Sequence, residues 1–136
     1  MEVETTPLDR VMSTALFRIA SDATAQDAAE TLLTEGVGSL LVVDQDGDLT
    51  GIVTSTDLLG IVSGEGSPTD STVREHMTTD VVTISATETV HDAAVEMING
   101  DIQHLPVTDD AGDIVGMVSA TDITTQMTYM SSSGTD

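Results

Sequence analysis

The sequence repeats itself. Residues 12–58 align with residues 77–123 at a constant offset of 65 and without a gap, and 16 of the 47 aligned positions are identical. Met12 falls on Met77, Asp27-Ala28-Ala29 on Asp92-Ala93-Ala94, Gly51 on Gly116 and Thr56-Asp57 on Thr121-Asp122. Such a period constrains the fold more than any local propensity, because both copies must adopt one structure and any site is expected twice. A copy of about 45 residues is too small to bury a stable core alone, so two copies are expected to share one around a pseudo-twofold axis.

Each copy reads in the same order. Leu16 to Ile19 and Val81 to Ile84 predict a first strand. Thr24 and Thr89, each with Asp three residues on, mark helix starts. The helices carry apolar faces of Ala25, Ala28, Ala29, Leu32 and Leu33, and of Val90, Ala93, Ala94, Met97 and Ile98. Leu40 to Val43 and Leu105 to Val107 follow as buried strands. Asp44 to Asp48 and Asp109 to Asp113 are Asp-Gly hairpin turns leading into Leu49 to Val53 and Ile114 to Val118. Second helices begin at Ser55 and Ala120. The expected fold is α/β, two β-α-β-β-α repeats at 7–63 and 73–130 joined by a Gly/Ser/Pro connector at 64–72. The first and last several residues are expected to be loosely ordered.

Charge narrows the function. There is no Lys, only Arg10, Arg18 and Arg74 are basic, and the net charge is −21. The acids are spread over both copies rather than gathered in a tail, and 39% of residues are apolar. That pattern suits molar salt, where a Debye length of about 3 Å screens self-repulsion. The same surface repels nucleic acid. With no Cys, disulfides, thiolate metal sites and cysteine nucleophiles are excluded. No apolar run suits a membrane span and the N-terminus lacks a signal-peptide pattern, so a cytoplasmic protein is expected.

Three marks are more specific. Met-Ser/Thr precedes the first strand in both copies (Met12-Ser13, Met77-Thr78); His104-Leu105-Pro106-Val107 opens a strand; and Gly-x-x-Ser/Thr-x-x-Asp recurs at Gly51–Asp57 and Gly116–Asp122. In register inside a repeat, they make the chain resemble a tandem pair of CBS domains (a Bateman module) over about Pro7 to Met130. With the acidic composition, a halophilic archaeal source is expected.

The resemblance implies a regulatory, non-enzymatic module that binds adenosine derivatives, assembles as a homodimer through its helices and acts on an effector protein in trans. It implies candidate ligands AMP, ADP, ATP, with or without Mg²⁺, and S-adenosylmethionine, with no required cofactor. Asp57 and Asp122 would hold ribose hydroxyls; Thr54 with Thr56, and Ser119 with Thr121, would meet phosphates beside a helix N-terminus, where hydroxyls and free N–H groups receive anions. Val37 and Ile102 would line adenine pockets with Phe17 and Val82 nearby, and His104 would reach a phosphate of the ligand held mainly by the other repeat. Gly38-Ser39 stands where the second copy has Gln103-His104, and Arg18 aligns with Thr83, so two unequal sites are expected, the better one around Asp57.

Simpler readings compete. Ser/Thr-x-x-Asp is also a helix cap, the only role assigned to Thr24–Asp27 and Thr89–Asp92. An interaction module with empty clefts is the alternative function. Asp44-x-Asp46-Gly47-Asp48 lacks the Gly at position six and Glu at twelve of a calcium loop, so it reads as a turn. His76, His91 and His104 lack metal-ligand spacing, and Met127 with Met130 reads as packing or as a surface for a second subunit.

Overall fold

A computed structural model describes residues 3–64 and 66–134, apart from the side chains of residues 129–134, so Glu65 of the connector and the Met130 side chain lie outside it. Two 3₁₀ turns, Val3–Thr5 and Leu8–Arg10, open the chain. The first repeat supplies β1 Arg18–Ala20, α1 Ala25–Glu35, β2 Ser39–Val43, β3 Leu49–Thr54 and α2 Ser55–Ser63; a short α3, Val73–His76, follows. The second repeat supplies β4 Ile84–Ser85, α4 Val90–Gly100, β5 His104–Thr108, β6 Ile114–Ser119 and α5 Ala120–Gly134. They build two three-stranded sheets, β1-β2-β3 and β4-β5-β6, each with a parallel first pair and an antiparallel second pair. The expected α/β repeat is present.

Its details depart from the pattern in two places. The first strands begin later than their apolar runs, because Arg18 and Ile84 are the first residues to find parallel partners, Leu41 and Val107. The helix faces are also narrower. Ala25, Ala28 and Leu32 are buried on α1, and Val90, Ala93 and Met97 on α4, whereas Leu33 and Ile98 are 84% and 79% exposed. One residue beyond Leu32 or Met97 turns about 100° around the axis and leaves the core stripe.

Contacts divide the chain into a central unit, Phe17–Val81, and a split unit made of Met1–Leu16 with Val82–Asp136. The aliphatic core of the central unit is Ala28, Leu32, Leu40, Val42, Val53 and Val73. That of the split unit includes Leu8, Val90, Ala93, Leu105, Val107 and Val118. The expectation of a loose N-terminus is therefore overturned from Thr6 onward: Leu8 is wholly buried, a contribution on the order of 2 kcal/mol.

The three-dimensional repeat reaches further upstream than the sequence identity. Val90 N–H donates to Thr6 O at 3.0 Å, and Ala25 N–H to Ser71 O at 2.9 Å. Leu8 N–H donates to Glu88 O, and Val73 N–H to Ala23 O. These pairs are all related by the same offset although Leu8 aligns with Val73 and Thr6 with Ser71. The backbone hydrogen bonds and the buried aliphatic position repeat; the residue identities do not.

The Met-Ser/Thr segments are straps over the sheet edges. Ser13 and Met117 exchange amide hydrogen bonds at 2.8 and 2.9 Å in the split unit, as Thr78 and Ile52 do at 2.9 and 3.0 Å in the central unit. Beneath them lie the motif glycines. A Cβ on Gly51 would meet Met77 Sδ and Thr78 O at 2.7 Å, and one on Gly116 would overlap the Met12 thioether. The two sequence marks, Met and Gly, are one packing device.

Candidate functional site

In the central unit β3 passes directly into α2. Thr54 ends the strand in extended conformation (φ −120°, ψ 166°) and caps the helix. Its hydroxyl accepts from Asp57 N–H at 3.2 Å, and Asp57 Oδ2 accepts from Thr54 N–H at 2.9 Å. One residue on, Ser55 N–H donates to Gly38 O at 3.1 Å. The Gly38 carbonyl arrives there because Gly36 turns α1 off in the left-handed region (φ 67°), with Val37 N–H returning to Leu32 O. Val37, Thr54, Thr56 and Asp57 are thereby gathered around one helix N-terminus. Phe17 packs on the same core as Val37, and its carbonyl accepts from Leu41 N–H.

The split unit builds the same frame from different residues. Ser119 Oγ accepts from Asp122 N–H at 3.0 Å, and Asp122 Oδ2 from Ser119 N–H at 2.9 Å. Ala120 N–H donates to Gln103 O at 2.9 Å, and the left-handed turn after α4 falls on Asp101 (φ 52°) instead of glycine. Ile102 packs on the core, whereas Val82 is 41% exposed and stands outside it. His104, half-buried, is the register partner of Ser119.

The frame limits what these helix starts can bind. Of the amides that open α2, those of Thr54, Ser55 and Asp57 are taken within the protein, which leaves the Thr56 amide among the described residues. In α5, among the described residues, the Thr121 amide is the one left. Among the described residues each carboxylate serves the cap through Oδ2 alone, which leaves the lone pairs of Oδ1 as acceptors. Each site therefore presents one amide, one exposed threonine hydroxyl (Thr56 or Thr121) and one carboxylate oxygen.

The capping reading is also present in full. Thr24–Asp27 and Thr89–Asp92 form the same reciprocal boxes. At α1 the connector closes the end, since Gln26 N–H donates to Pro68 O at 3.0 Å. At α4 the cap amide of Thr89 and then a hydrogen bond from Glu88 hold the Asp92 carboxyl below the usual carboxylate range. The Glu88 carboxyl is raised, by that hydrogen bond and then by the Asp92 charge.

The arginines and the acidic turn lie elsewhere. Arg74 donates to Ser21 Oγ at 3.0 Å and lines a recess of about 320 Å³ with Asp22, Val43 and Asp44, at the end of β2 away from Ser39. Arg18 is exposed on β1. Asp44, Asp46 and Asp48 bring carboxylate oxygens within 4.8 Å of one another, and Asp44 Oδ1 accepts from the amides of Asp46 and Asp48. Sequence reasoning missed the Gly38 and Gln103 carbonyls, which carry no side-chain signal. It also missed Thr124, Thr125 and Thr128, which with Gln103, Ala120 and Thr121 line a groove of about 620 Å³ along α5. Among the described residues no helix is long and apolar enough to cross a membrane.

Comparison with known proteins gives one answer. The sequence pattern of the CBS domain matches residues 8–64 and again 73–128. The CBS domain pair of protein MJ0100, solved with 5′-methylthioadenosine and S-adenosyl-L-methionine, is 28% identical with a TM-score of 0.82, over 93% of this chain and 98% of that one. The CBS-domain containing protein ATU1752 from Agrobacterium tumefaciens is 26% identical with a TM-score of 0.83, over 92% and 96%. An uncharacterized 17.7 kDa protein of Acidianus ambivalens is 30% identical over 87% of this chain and 71% of its own length. The inosine-5′-monophosphate dehydrogenase of Nitrosopumilus maritimus is 35% identical, but the match takes up 23% of that enzyme. With both repeats matched, two sheets of one topology and a strap-and-glycine device in each, the chain belongs to the CBS domain family as a tandem pair.

Proposed function

We propose that the chain is a non-catalytic regulatory module that binds an adenosine-derived ligand and acts as a homodimer on an effector protein in trans. The observation that carries this reading is the duplicated cap: Asp57 and Asp122 each keep one carboxylate oxygen for a ribose hydroxyl beside an open amide and threonine hydroxyl. The related pair solved with two adenosine compounds supports it. Val37 with Phe17, and Ile102 with Val82, are the proposed adenine neighbours, and His104 is the proposed neighbour of a phosphate on the ligand held mainly by the other repeat. The mechanism is differential binding: ligand favours one conformation or assembly by the difference in its affinity for the alternatives.

Calorimetric titration with AMP, ADP, ATP with and without Mg²⁺, and S-adenosylmethionine in molar KCl tests it. Asp57→Asn and Asp122→Asn keep an oxygen for the cap amide while removing the charge. Each is expected to weaken binding at its site 10- to 100-fold, the loss of a charged hydrogen bond. No saturable response to any of these compounds removes the sensor reading. Exposed Leu33, Leu59 and Val62 in the central unit then favour the second reading, an interaction module with empty clefts.

A further inference from the structure

Among the described residues the lining of the groove beside α5 holds no Lys, Arg or His; the adjacent His104 pairs with Ser119 in the sheet and is not part of the groove. Gln103, Ala120, Thr121, Thr124, Thr125 and Thr128 line it, and the threonines follow helical spacing along one face. Arg10 is the one arginine of the split unit; it is exposed at the end of a 3₁₀ turn and is not part of the lining.

The hydroxyls are also oriented. Thr124 Oγ1 donates to Ala120 O at 2.9 Å, and Thr128 Oγ1 to Thr124 O at 3.0 Å. Their protons are committed to the helix, so what these oxygens have left to offer is lone pairs. The helix start beside them has the Thr121 amide left, with the Asp122 carboxylate one residue on. A phosphate ester meets one amide, one hydroxyl, a carboxylate and a row of acceptors. A thioether or an ammonium meets acceptors it tolerates or prefers.

We infer that the split-unit site selects an adenosine derivative whose 5′ substituent is neutral or positively charged, a thioether or a sulfonium amino acid, and rejects nucleotides carrying phosphate. This rests on the adenosine reading proposed above and adds the ligand class. The central unit, with a different residue set at its cap, is not bound by the same rule.

The test uses the full chain carrying Asp57→Asn, so that the split-unit site dominates. Calorimetric titrations at pH 8, in the lowest KCl that keeps the protein folded, use 5′-methylthioadenosine, S-adenosylmethionine, AMP, ATP and Mg-ATP. The first two are expected to bind at least ten-fold more tightly than the phosphates, with the gap narrowing as KCl rises. Thr124→Val with Thr128→Val is expected to weaken S-adenosylmethionine at least five-fold and leave methylthioadenosine within two-fold. Gln103→Arg is expected to strengthen AMP at least five-fold. AMP, ATP or Mg-ATP binding as tightly as S-adenosylmethionine overturns this inference and leaves the adenosine reading standing. No binding by any of the five overturns both.

Discussion

The two units solve one folding problem with different residues, and the contrast separates what the fold requires from what it leaves open. Both need a residue that leaves the first helix left-handed, a carbonyl on the first amide of the second helix, a Ser/Thr-Asp cap and a strap over a glycine. The central unit uses Gly36, Gly38, Thr54–Asp57 and Met77 over Gly51; the split unit uses Asp101, Gln103, Ser119–Asp122 and Met12 over Gly116. Backbone demands are met twice. The side chains facing solvent at the same places, such as Arg18 against Thr83, diverge because the fold asks nothing of them.

The largest effect expected from breaking this parallel lies under the straps. At Gly51 the obstacle to a Cβ includes the Thr78 backbone oxygen at 2.7 Å, while at Gly116 the tightest obstacle is the flexible Met12 side chain, with Ser13 O at 3.1 Å. Gly51→Ala is expected to cost about 2–3 kcal/mol and Gly116→Ala about 1 kcal/mol in denaturant unfolding. Met12→Ala should recover stability in the Gly116→Ala protein, whereas Met77→Ala should not rescue Gly51→Ala. Equal losses with equal rescue would show that the two straps are interchangeable.

A smaller effect sharpens the helix ends. Asp101 holds a left-handed backbone that glycine adopts without cost, as Gly36 does in the other unit. Asp101→Gly is expected to add about 0.5–1 kcal/mol, and Gly36→Asp to remove a similar amount; thermal melts of both variants check the pair.

The smallest concerns Glu88, whose counterpart in the central unit is the uncharged Ala23. Its raised pKa means the fold favours protonated Glu88, a contribution present below the unfolded carboxyl pKa and lost as pH rises through the folded one. Asp92 runs the other way: its lowered pKa contributes above the unfolded value and is lost as pH falls through the folded one. Glu88→Gln places an uncharged amide donor beside Asp92 at every pH. A small rise in Tm is expected at pH 7 and none at a pH low enough to protonate both carboxyls; a rise that is the same at both would exclude the Glu88–Asp92 repulsion as its cause.

The architecture was legible because period, turn residues and cap patterns agreed over both copies. Asp44 to Asp48 shows how well local chemistry is readable, since one side-chain oxygen and one left-handed glycine at Gly47 shape the turn. The segment before Met12 was not legible: Leu8 and Val73 share a role in the core without sharing identity, and a polar surround hides each. Leu33 and Ile98 misled because an apolar residue adjacent to a core stripe satisfies a loose helical pattern while pointing elsewhere. At the candidate sites the carboxylates and hydroxyls were readable, but backbone carbonyls such as Gly38 O and Gln103 O have no signature. They decide how many amides remain for a ligand.

The division of one unit into two chain segments also sets an order on synthesis. The central unit is one continuous stretch, Phe17–Val81, and has every core residue as soon as that stretch has left the ribosome. The split unit cannot complete its core until residues beyond Val82 arrive to cover Leu8, made far earlier. Closing the split unit is therefore a long-range step, joining Leu8 and Met12 to residues beyond Val82, and long-range closure is slow.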